Sequence, residues 1–273
     1  MSDVRVSFLG TGAGNCIHRA HTAIALDCAD NTRLLLDVAS GNSVLRFGAE
    51  LGMLAESFEH LLLSHRHADH MSGLPHLQGQ RTLVNPDGPP LQVHSTEVSV
   101  QGVRSLFRAT SITHQVDQDG VQTQDGRAVV RWNPVSEGQW VQLGDQIKAS
   151  CFAVDHIGGA VGWRVESDGV SVVFSGDTRY CENLAEAAQG AHLLIHEALS
   201  TDHDKEDAAR RGHSTAGEAA RIAALAGVSE LVLTHIDTPF HFDPQPLVDE
   251  ARQYFDGPVS VASDLYQITV GQG

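Results

Sequence analysis

Four residues of metal-ligand type stand within six positions of this chain: His65, His67, Asp69 and His70. They directly follow residues 61–64, Leu-Leu-Leu-Ser, which predict the end of a buried strand. Side chains two positions apart in an extended chain point the same way, so His65 and His67 can bind one ion together. Asp69 and His70 follow as the chain turns, and they face the neighbouring space. This arrangement predicts two metal ions side by side, whereas a solvated histidine-rich turn would need no partners elsewhere in the chain.

Partners for this cluster occur later in the chain at His156, Asp177 and His235, each of which follows an apolar stretch. Rigid strands would therefore position all three side chains. Taken singly, His156 could be a core histidine and Asp177 a turn residue, but their occurrence with the first cluster favours metal binding. Imidazole and carboxylate ligands without a thiolate suit Zn²⁺, and they leave Mn²⁺ or Fe²⁺ open.

The composition is that of a globular protein, with 273 residues of which 41% are hydrophobic and 19% charged. No linker or shift in composition divides the chain, so residues 1–273 are expected to form one domain. The formal net charge is −16, the only lysines are Lys148 and Lys205, and the longest basic run is Arg210-Arg211. This acidity argues against nucleic acid and against an anionic membrane surface as partners, because like charges repel.

The cysteines and the N-terminal residues bear on the compartment. Cys16, Cys28, Cys151 and Cys181 are scattered without a CxxC pair, which indicates reduced thiols and neither a disulfide framework nor a structural zinc site. Residues 1–6 lead directly into a strand without a signal peptide, and no apolar stretch approaches the ~20 residues that span a bilayer. We therefore expect a cytoplasmic protein that does not associate with membranes.

Apolar segments along the chain predict an α/β protein. Strands are expected over 4–9, 22–26, 33–36, 170–174, 193–195 and 230–234, and helices over 44–54 and around Pro75. Thr215 and Glu218 form a capping box that opens another helix, which should end at Gly227. The glycines of residues 10–14 permit a tight turn and close approach to the site. Residues 85–126, with several prolines and polar stretches, are expected to be an insertion that faces the substrate or is partly disordered.

The polar residues at the strand ends, taken in combination, resemble the metallo-β-lactamase superfamily and, within it, the ribonuclease Z-like branch. The resemblance covers nearly the whole chain: residues 8–12, Leu36-Asp37, the cluster 65–70, Asp155-His156, residues 175–178, His196-Glu197-Ala198, His213-Ser214-Thr215 and Leu233-Thr234-His235. The last three groups favour the ribonuclease Z-like branch. The implied fold is a four-layer αβ/βα sandwich with the site along one edge of two sheets. Relatives in this branch are commonly homodimers, so the resemblance also implies a homodimer.

The resemblance implies a role for each metal-ligand residue. His65, His67 and His156 would bind one metal ion, Asp69, His70 and His235 would bind the second, and Asp177 would bridge both. Asp37 would order the metal-binding loop from behind the ligands. Two divalent ions, most simply Zn²⁺, would lie about 3.5–4 Å apart and convert a bridging water into hydroxide near neutral pH.

Three residues would then act on protons. Asp69 has a second carboxylate oxygen that would orient the hydroxide or accept its proton. His213 resembles the branch's proton donor to the leaving group, and Glu197 would hold the His213 imidazole in the productive orientation. The alternative for His213 is an exposed residue before a helix cap, and His196 is expected to be structural.

Three departures from the branch bear on the substrate. The segment between His156 and Asp177 leaves no room for the long tRNA-clamping arm that many ribonuclease Z proteins carry there. Residues 236–241 replace the usual Ser-x-Arg-Tyr pattern, and the net charge is acidic. These departures favour a small-molecule substrate over RNA.

We therefore expect a dinuclear metal-dependent hydrolase that acts as a phosphodiesterase on a small organic phosphodiester or a cyclic nucleotide. Lactone or carboxylic ester hydrolysis is the alternative, because the same bridging hydroxide supports it. Ribonuclease Z-type tRNA 3′ processing is the third interpretation. A non-catalytic binding protein is disfavoured, because the ligand set is complete.

Overall fold

Two β-sheets lie face to face at the centre of the computed structural model, which describes residues 3–111 and 113–271. The strands within these residues are β1 Val4–Gly10, β2 Ala23–Asp27, β3 Arg33–Leu36, β4 Phe58–Leu62, β5 Leu91–Ser95, β6 His114–Val116, β7 Gly120–Thr123, β8 Ala128–Pro134, β9 Trp140–Gln142, β10 Ile147–Ala153, β11 Val161–Ser167, β12 Val170–Phe174, β13 Leu193–Glu197, β14 Leu231–Thr234, β15 Val259–Val261 and β16 Gln267–Val270. The first sheet has the order β16-β1-β2-β3-β4-β5-β8-β7-β6, and the second has the order β15-β14-β13-β12-β11-β10-β9.

Eight helices accompany the two sheets within the described residues. They are α1 Ser43–Glu50, α2 Ala68–Met71, α3 Leu74–Val84, α4 Glu97–Thr110, α5 Glu182–Ala187, α6 Lys205–Arg211, α7 Ala216–Ala226 and α8 Gln245–Ala251. Short 3₁₀ turns lie at Ala29–Asn31, Ala55–Ser57, Asp202–Asp204 and Thr238–Phe240. Within the described residues, none of the helices is long and apolar enough to cross a membrane.

Three apolar clusters separate the four layers. Leu34 and Leu36 of β3 belong to the cluster between the sheets, whereas Leu35 belongs to the cluster that packs under α1, α3 and α4. A third cluster joins β12, β13 and β14 to α5, α7 and α8. Because both faces of the central strands are buried, β3 reads as a continuous apolar run without alternation. The predicted αβ/βα sandwich is confirmed.

Local signals fixed several element boundaries as predicted. Thr215 accepts a hydrogen bond from the backbone N–H of Glu218, and the Glu218 carboxylate accepts one from the N–H of Thr215. Gly227 ends α7 in the left-handed conformation, with φ +62°. Pro75 lies in the first turn of α3, where its missing N–H costs no helical hydrogen bond. The predicted N-terminal strand is observed from Val4, and residues 1–2 lie outside the described part of the chain.

Residues 85–126 do not form the predicted insertion, and the expectation of partial disorder is wrong. This segment contributes β5, α4, β6 and β7, and β5 lies inside the first sheet between β4 and β8. The missed signal is the alternation of Leu91 and Val93 with polar residues, followed by Thr96, which caps α4. The strand β5 has only five residues, so its apolar pattern is short, and the prolines before it favour the interpretation as a loop. Residue 112 lies outside the described residues.

The two sheets are joined next to the predicted metal cluster. The indole N–H of Trp163, which is fully buried in β11, donates a hydrogen bond to the carbonyl of Leu63 at 3.2 Å. The backbone N–H of Val161 donates to the carbonyl of Ser64 at 3.0 Å. The second sheet therefore holds the end of β4 at the point where the chain enters His65.

We predict that Trp163→Phe lowers the free energy of unfolding by about 1–3 kcal/mol, because it removes a buried hydrogen bond and leaves a small cavity. Urea unfolding of the metal-free protein measures the change. Trp140→Phe is the control, since Trp140 is 44% exposed on the edge strand β9. Equal unfolding midpoints for the wild type and Trp163→Phe would contradict the role given to the indole.

Candidate metal centre

The predicted site residues meet at one edge of the sandwich. In the first sheet, Asp37 follows β3 and the cluster 65–70 follows β4, and His156 follows β10 of the second sheet. In the same second sheet, Asp177 follows β12, Glu197 ends β13 and His235 follows β14. The carboxyl ends of parallel strands share an edge, which explains why residues so distant in sequence converge. A cavity of about 420 Å³ opens there.

The first group of converging ligand atoms consists of His65, His67, His156 and Asp177. Their ligand atoms all lie within 4.8 Å of one another. His67 Nδ1 is 3.0 Å from His65 Nε2 and 3.1 Å from His156 Nε2. Oδ2 of Asp177 is 3.6 Å from His65 Nε2 and 3.9 Å from His156 Nε2.

The second group consists of Asp69, His70, His235 and the same Asp177, again within 4.8 Å. Nε2 of His70 lies 3.2 Å from Asp177 Oδ2 and 3.4 Å from Asp69 Oδ2. Nδ1 of His235 lies 3.4 Å from Asp177 Oδ1. Asp177 is thus shared by both groups, because its Oδ2 faces histidines of both groups and its Oδ1 faces His235.

These atoms fit divalent metal ions. His67 Nδ1 lies at hydrogen-bond distance from ring nitrogens of both His65 and His156, although a single ring nitrogen cannot satisfy two such neighbours at once. Nε2 of His70 is buried, and no described residue makes a hydrogen bond with it despite the two carboxylates nearby. Unsatisfied buried nitrogens among carboxylate oxygens are the donor set of a transition-metal site. The arrangement therefore favours divalent metal binding.

Neighbouring groups orient the imidazole rings from behind. Asp37, fully buried, accepts hydrogen bonds from His70 Nδ1 at 2.6 Å and from the backbone N–H and hydroxyl of Ser64, both at 2.7 Å. His156 Nδ1 donates to the carbonyl of Gly212 at 2.8 Å. Such outer partners fix the ring rotation and increase the basicity of the opposite nitrogen.

Charge within the cluster is strongly coupled. Burial works to raise the pKa of Asp177, but His235 and His70 lower it well below its usual range. Burial lowers the pKa of His235 to about 3 and keeps that ring neutral. The pKa of Asp69 is lowered although burial opposes this, because His70 lies beside its carboxylate. Burial acts to lower the pKa of His70, but Asp177 and Asp37 raise it well above its usual range. Metal binding requires ionised carboxylates and neutral imidazoles, so a bound ion would displace the proton from this ring.

A second polar pair lies beside Asp177. His213 Nδ1 is 3.0 Å from Glu197 Oε1 and 4.0 Å from Asp177 Oδ2. Glu197 is fully buried and also accepts hydrogen bonds from the backbone N–H groups of Thr178 and Ser214. Glu197 and His213 thus form a connected unit that is held by the backbone on one side and open to the cavity on the other.

The pKa values of Glu197 and His213 depend on each other. Burial raises the pKa of Glu197 to about 7. Burial alone would lower the pKa of His213, but Glu197 outweighs it and raises this pKa to about 9. We assign the proton to the imidazole, because two backbone N–H donors favour the charged carboxylate. His213 therefore carries a transferable proton at the cavity wall.

Comparison with known proteins identifies the family. The family model described as the β-lactamase superfamily domain matches residues 46–236, well over half of the chain. The ribonuclease Z of Haloferax volcanii is 32% identical over 98% of this chain and 95% of its own length. The chain belongs to the metallo-β-lactamase superfamily. Within it, this protein is a ribonuclease Z-like member and a metal-dependent hydrolase.

Solved structures share this fold over the full length. The metallo-β-lactamase fold protein YhfI of Bacillus subtilis matches with a TM-score of 0.78 and 22% identity, covering 98% of this chain and 99% of that one. Human tRNase Z, short form, matches with a TM-score of 0.75 and 20% identity, covering 98% and 100%. At these identities the structures establish the fold alone.

The expectation of a small-molecule substrate and against nucleic acid is wrong. The relative from Haloferax volcanii and others at about 30% identity are ribonucleases, and they match nearly the whole of this chain. The error came from using the net charge of −16 as a guide to the site. Net charge sums over the entire surface, whereas a phosphate in the cavity is governed by the charges within a Debye length of about 8–10 Å.

Two glycines allow the close packing of this metallo-β-lactamase site. A Cβ on Gly14 would lie 2.9 Å from Asp69 Oδ2, so the glycine loop after β1 approaches the site closely, as predicted. Gly212 has φ +92°, and a Cβ there would lie 2.7 Å from Nδ1 of His156. Asp37 and His235 also have positive φ, of 54° and 57°. Such strained backbone at non-glycine residues is typical of functional sites.

Several site-building residues were missed in the sequence. Thr22 forms a hydrogen bond through its hydroxyl to His235 Nδ1 at 2.9 Å, and Ser64 bonds to His65 Nδ1 at 2.9 Å. Arg211 lines the cavity beside His213. Ser64 and Arg211 adjoin recognised motifs, which is a signal that could have found them. Thr22 is 213 positions from its partner, and no local pattern indicates it.

We predict that Asp37→Asn lowers the affinity for Zn²⁺ roughly 10–100-fold. The amide can keep the shape of the side chain but cannot accept three hydrogen bonds as a charged group, so the His70 ring loses its orientation. Competition with a chromophoric chelator measures the affinity. Asp87→Asn, on the exposed loop after α3, should leave it unchanged. Identical zinc affinities for both variants would show that Asp37 does not order the ligands.

Proposed function

We propose that this protein is a metal-dependent phosphodiesterase of the ribonuclease Z type that hydrolyses a phosphodiester bond in RNA. The observation that carries the proposal is the Glu197–His213 pair beside two ligand groups that share Asp177. The ribonuclease relatives at about 30% identity support RNA as the substrate class. We also propose that residues 1–273 act as one hydrolase domain, since both sheets contribute ligands.

The ligand assignment follows the two groups. One ion would be held by His65, His67 and His156 and the other by Asp69, His70 and His235, and the Asp177 carboxylate would be available to both. Zn²⁺ is the best candidate, because it accepts imidazole and carboxylate ligands together. When bound, two such ions acidify water and stabilise the negative charge that develops on the attacked phosphate.

Side chains of the protein accept and donate the protons that hydrolysis transfers. Asp69 lies at the cavity wall, so we assign to its carboxylate the orientation of the attacking water and the uptake of the water's proton. His213 donates a proton to the leaving oxygen, and Glu197 maintains the tautomer and orientation that this requires. Glu197 remains a carboxylate through the cycle, because Thr178 and Ser214 hold it by their N–H groups.

The proton donor favours a phosphodiester over a lactone. A ribose hydroxyl is a poor leaving group, and protonation makes its departure much easier. A lactone keeps its leaving oxygen tethered within the product, so a dedicated donor has less to contribute. The segment between His156 and Asp177 is filled by β11 and β12, so contacts to RNA would come from the cavity rim.

We expect purified protein to contain two equivalents of divalent metal by elemental analysis. Chelation should abolish hydrolysis of both bis(p-nitrophenyl) phosphate and a precursor tRNA, and Zn²⁺ should restore it. Asp177→Asn should lower the metal content and the turnover together, because it removes the shared carboxylate. Metal-independent turnover would contradict the metal centre, and two bound metals without turnover of any phosphodiester would contradict the proposed activity.

We expect His213→Ala to lower kcat on RNA by roughly 10²–10⁴-fold, the usual contribution of a general acid. Turnover of bis(p-nitrophenyl) phosphate should fall much less, since p-nitrophenolate leaves without protonation. The exposed His76, on α3, gives the control His76→Ala. Equal losses on the two substrates would exclude His213 as proton donor.

A further inference from the structure

The end of α6 supplies three successive residues to the site. Arg211 lines the cavity, Gly212 binds His156 through its carbonyl, and His213 binds Glu197. This segment is firmly attached, because the backbone N–H of His213 donates to the carbonyl of Ala208 at 2.9 Å. Gly212 and His213 therefore each bind a residue of the site, whereas the contacts above give Arg211 no such role.

The guanidinium of Arg211 is paired with carboxylates through only one of its nitrogens, Nη1. Its Nη1 lies 3.1 Å from Oδ2 of Asp237 and 3.9 Å from Oδ2 of Asp207. Asp237 is itself fixed, because its Oδ1 accepts the backbone N–H of Thr238 at 2.7 Å. Among the described residues, Nε and Nη2 of Arg211 have no hydrogen-bond partner, and the residue lines the cavity.

Arg211 also stands out by its charge. The other ionised side chains at the cavity include the carboxylates of Asp69 and Asp177. Among the described residues that line this cavity, Arg211 is the only lysine or arginine. An acidic protein that binds an anionic substrate needs positive charge where the anion sits. The planar fork of an arginine suits two phosphate oxygens at once.

We propose that Arg211 binds the substrate phosphate beside His213 and that Asp237 positions its guanidinium. This inference rests on the proposed phosphodiesterase function and names the residue that recognises the phosphate. The bound phosphate gains two charge-assisted hydrogen bonds from Nε and Nη2, while Nη1 stays on Asp237. Asp237 acts only through Arg211 and is a positioning residue.

The neighbouring arginine provides a matched control. Arg210 pairs with Asp207, and its side chain is 73% exposed. It lines a different surface cavity together with residues 202–207. Arg210→Ala therefore removes the same charge from the same helix end without changing the site.

The test compares Arg211→Ala, Arg211→Lys and Arg210→Ala in the metal-loaded protein. Arg211→Ala should raise KM for bis(p-nitrophenyl) phosphate roughly tenfold to a hundredfold and leave kcat within a few-fold, as expected for a lost charged hydrogen bond. Calorimetry should show inorganic phosphate binding weakened by a similar factor. Arg211→Lys should recover part of both, and Arg210→Ala should match the wild type. Equal effects of the two alanine variants, or no effect of Arg211→Ala, would overturn the proposal.

Asp237→Asn tests the positioning role. It should raise KM about threefold to tenfold in the wild type and have no further effect in Arg211→Ala, because residues that act as a unit are not additive. Asp237→Glu should restore part of the lost affinity, which a general loss of structure would not allow. Additive effects of Asp237→Asn and Arg211→Ala would overturn the positioning role.

Failure of this inference and failure of the proposed function are distinguishable. If the wild type binds two metals but hydrolyses no phosphodiester, the proposed function fails, and phosphate calorimetry alone decides the role of Arg211. Weaker phosphate binding in Arg211→Ala than in Arg210→Ala then still supports the anion site. If the wild type is active and both variants behave like it, only the assignment of Arg211 fails.

Discussion

The buried carboxylate of Asp177 is the constraint on which the rest of the structure depends. Asp177 is 2% exposed, and an isolated carboxylate at that depth would be very costly. Five imidazoles surround its oxygens at 3.2–4.0 Å: His65, His70, His156, His213 and His235. These rings come from both sheets. The need to compensate one charge therefore couples the two halves of the sandwich, and two divalent ions placed between them would complete that compensation.

Hydrogen bonds between the two sheets hold the ligands of both halves in fixed positions. Backbone hydrogen bonds join the sheets next to the site, from Val161 to Ser64 and from Ile236 to Thr11. Each of the five imidazoles around Asp177 is then fixed by a partner behind it, and Asp37 serves both a ring and the loop that carries the cluster. A site with so many fixed neighbours leaves few side chains free to adapt. Arg211 is one of these, since only one of its nitrogens is held.

Much of the fold and of the site could be predicted from the sequence. The strands with continuous apolar runs, the capping box of α7 and the ligand-type residues after strand ends follow from local chemistry, and the structure brings all the predicted site residues together. The roles of these residues remain predictions. The prediction for residues 85–126 was wrong, because the strand β5 is stabilised by neighbouring strands that a local pattern does not show. Its five residues carry too little local signal to identify it.

The sequence by itself determined which chemistry is possible, because the spacing of His65, His67, Asp69 and His70 and the absence of nearby thiols depend only on neighbouring positions. Tertiary structure decided which groups act on which. Thr22 meets His235, and Gly212 meets His156, across separations that no periodic pattern records. Tertiary structure also decided that Arg211 lines the cavity. The charge around a site depends on which side chains converge there, whereas the sequence directly provides only the net charge of the chain.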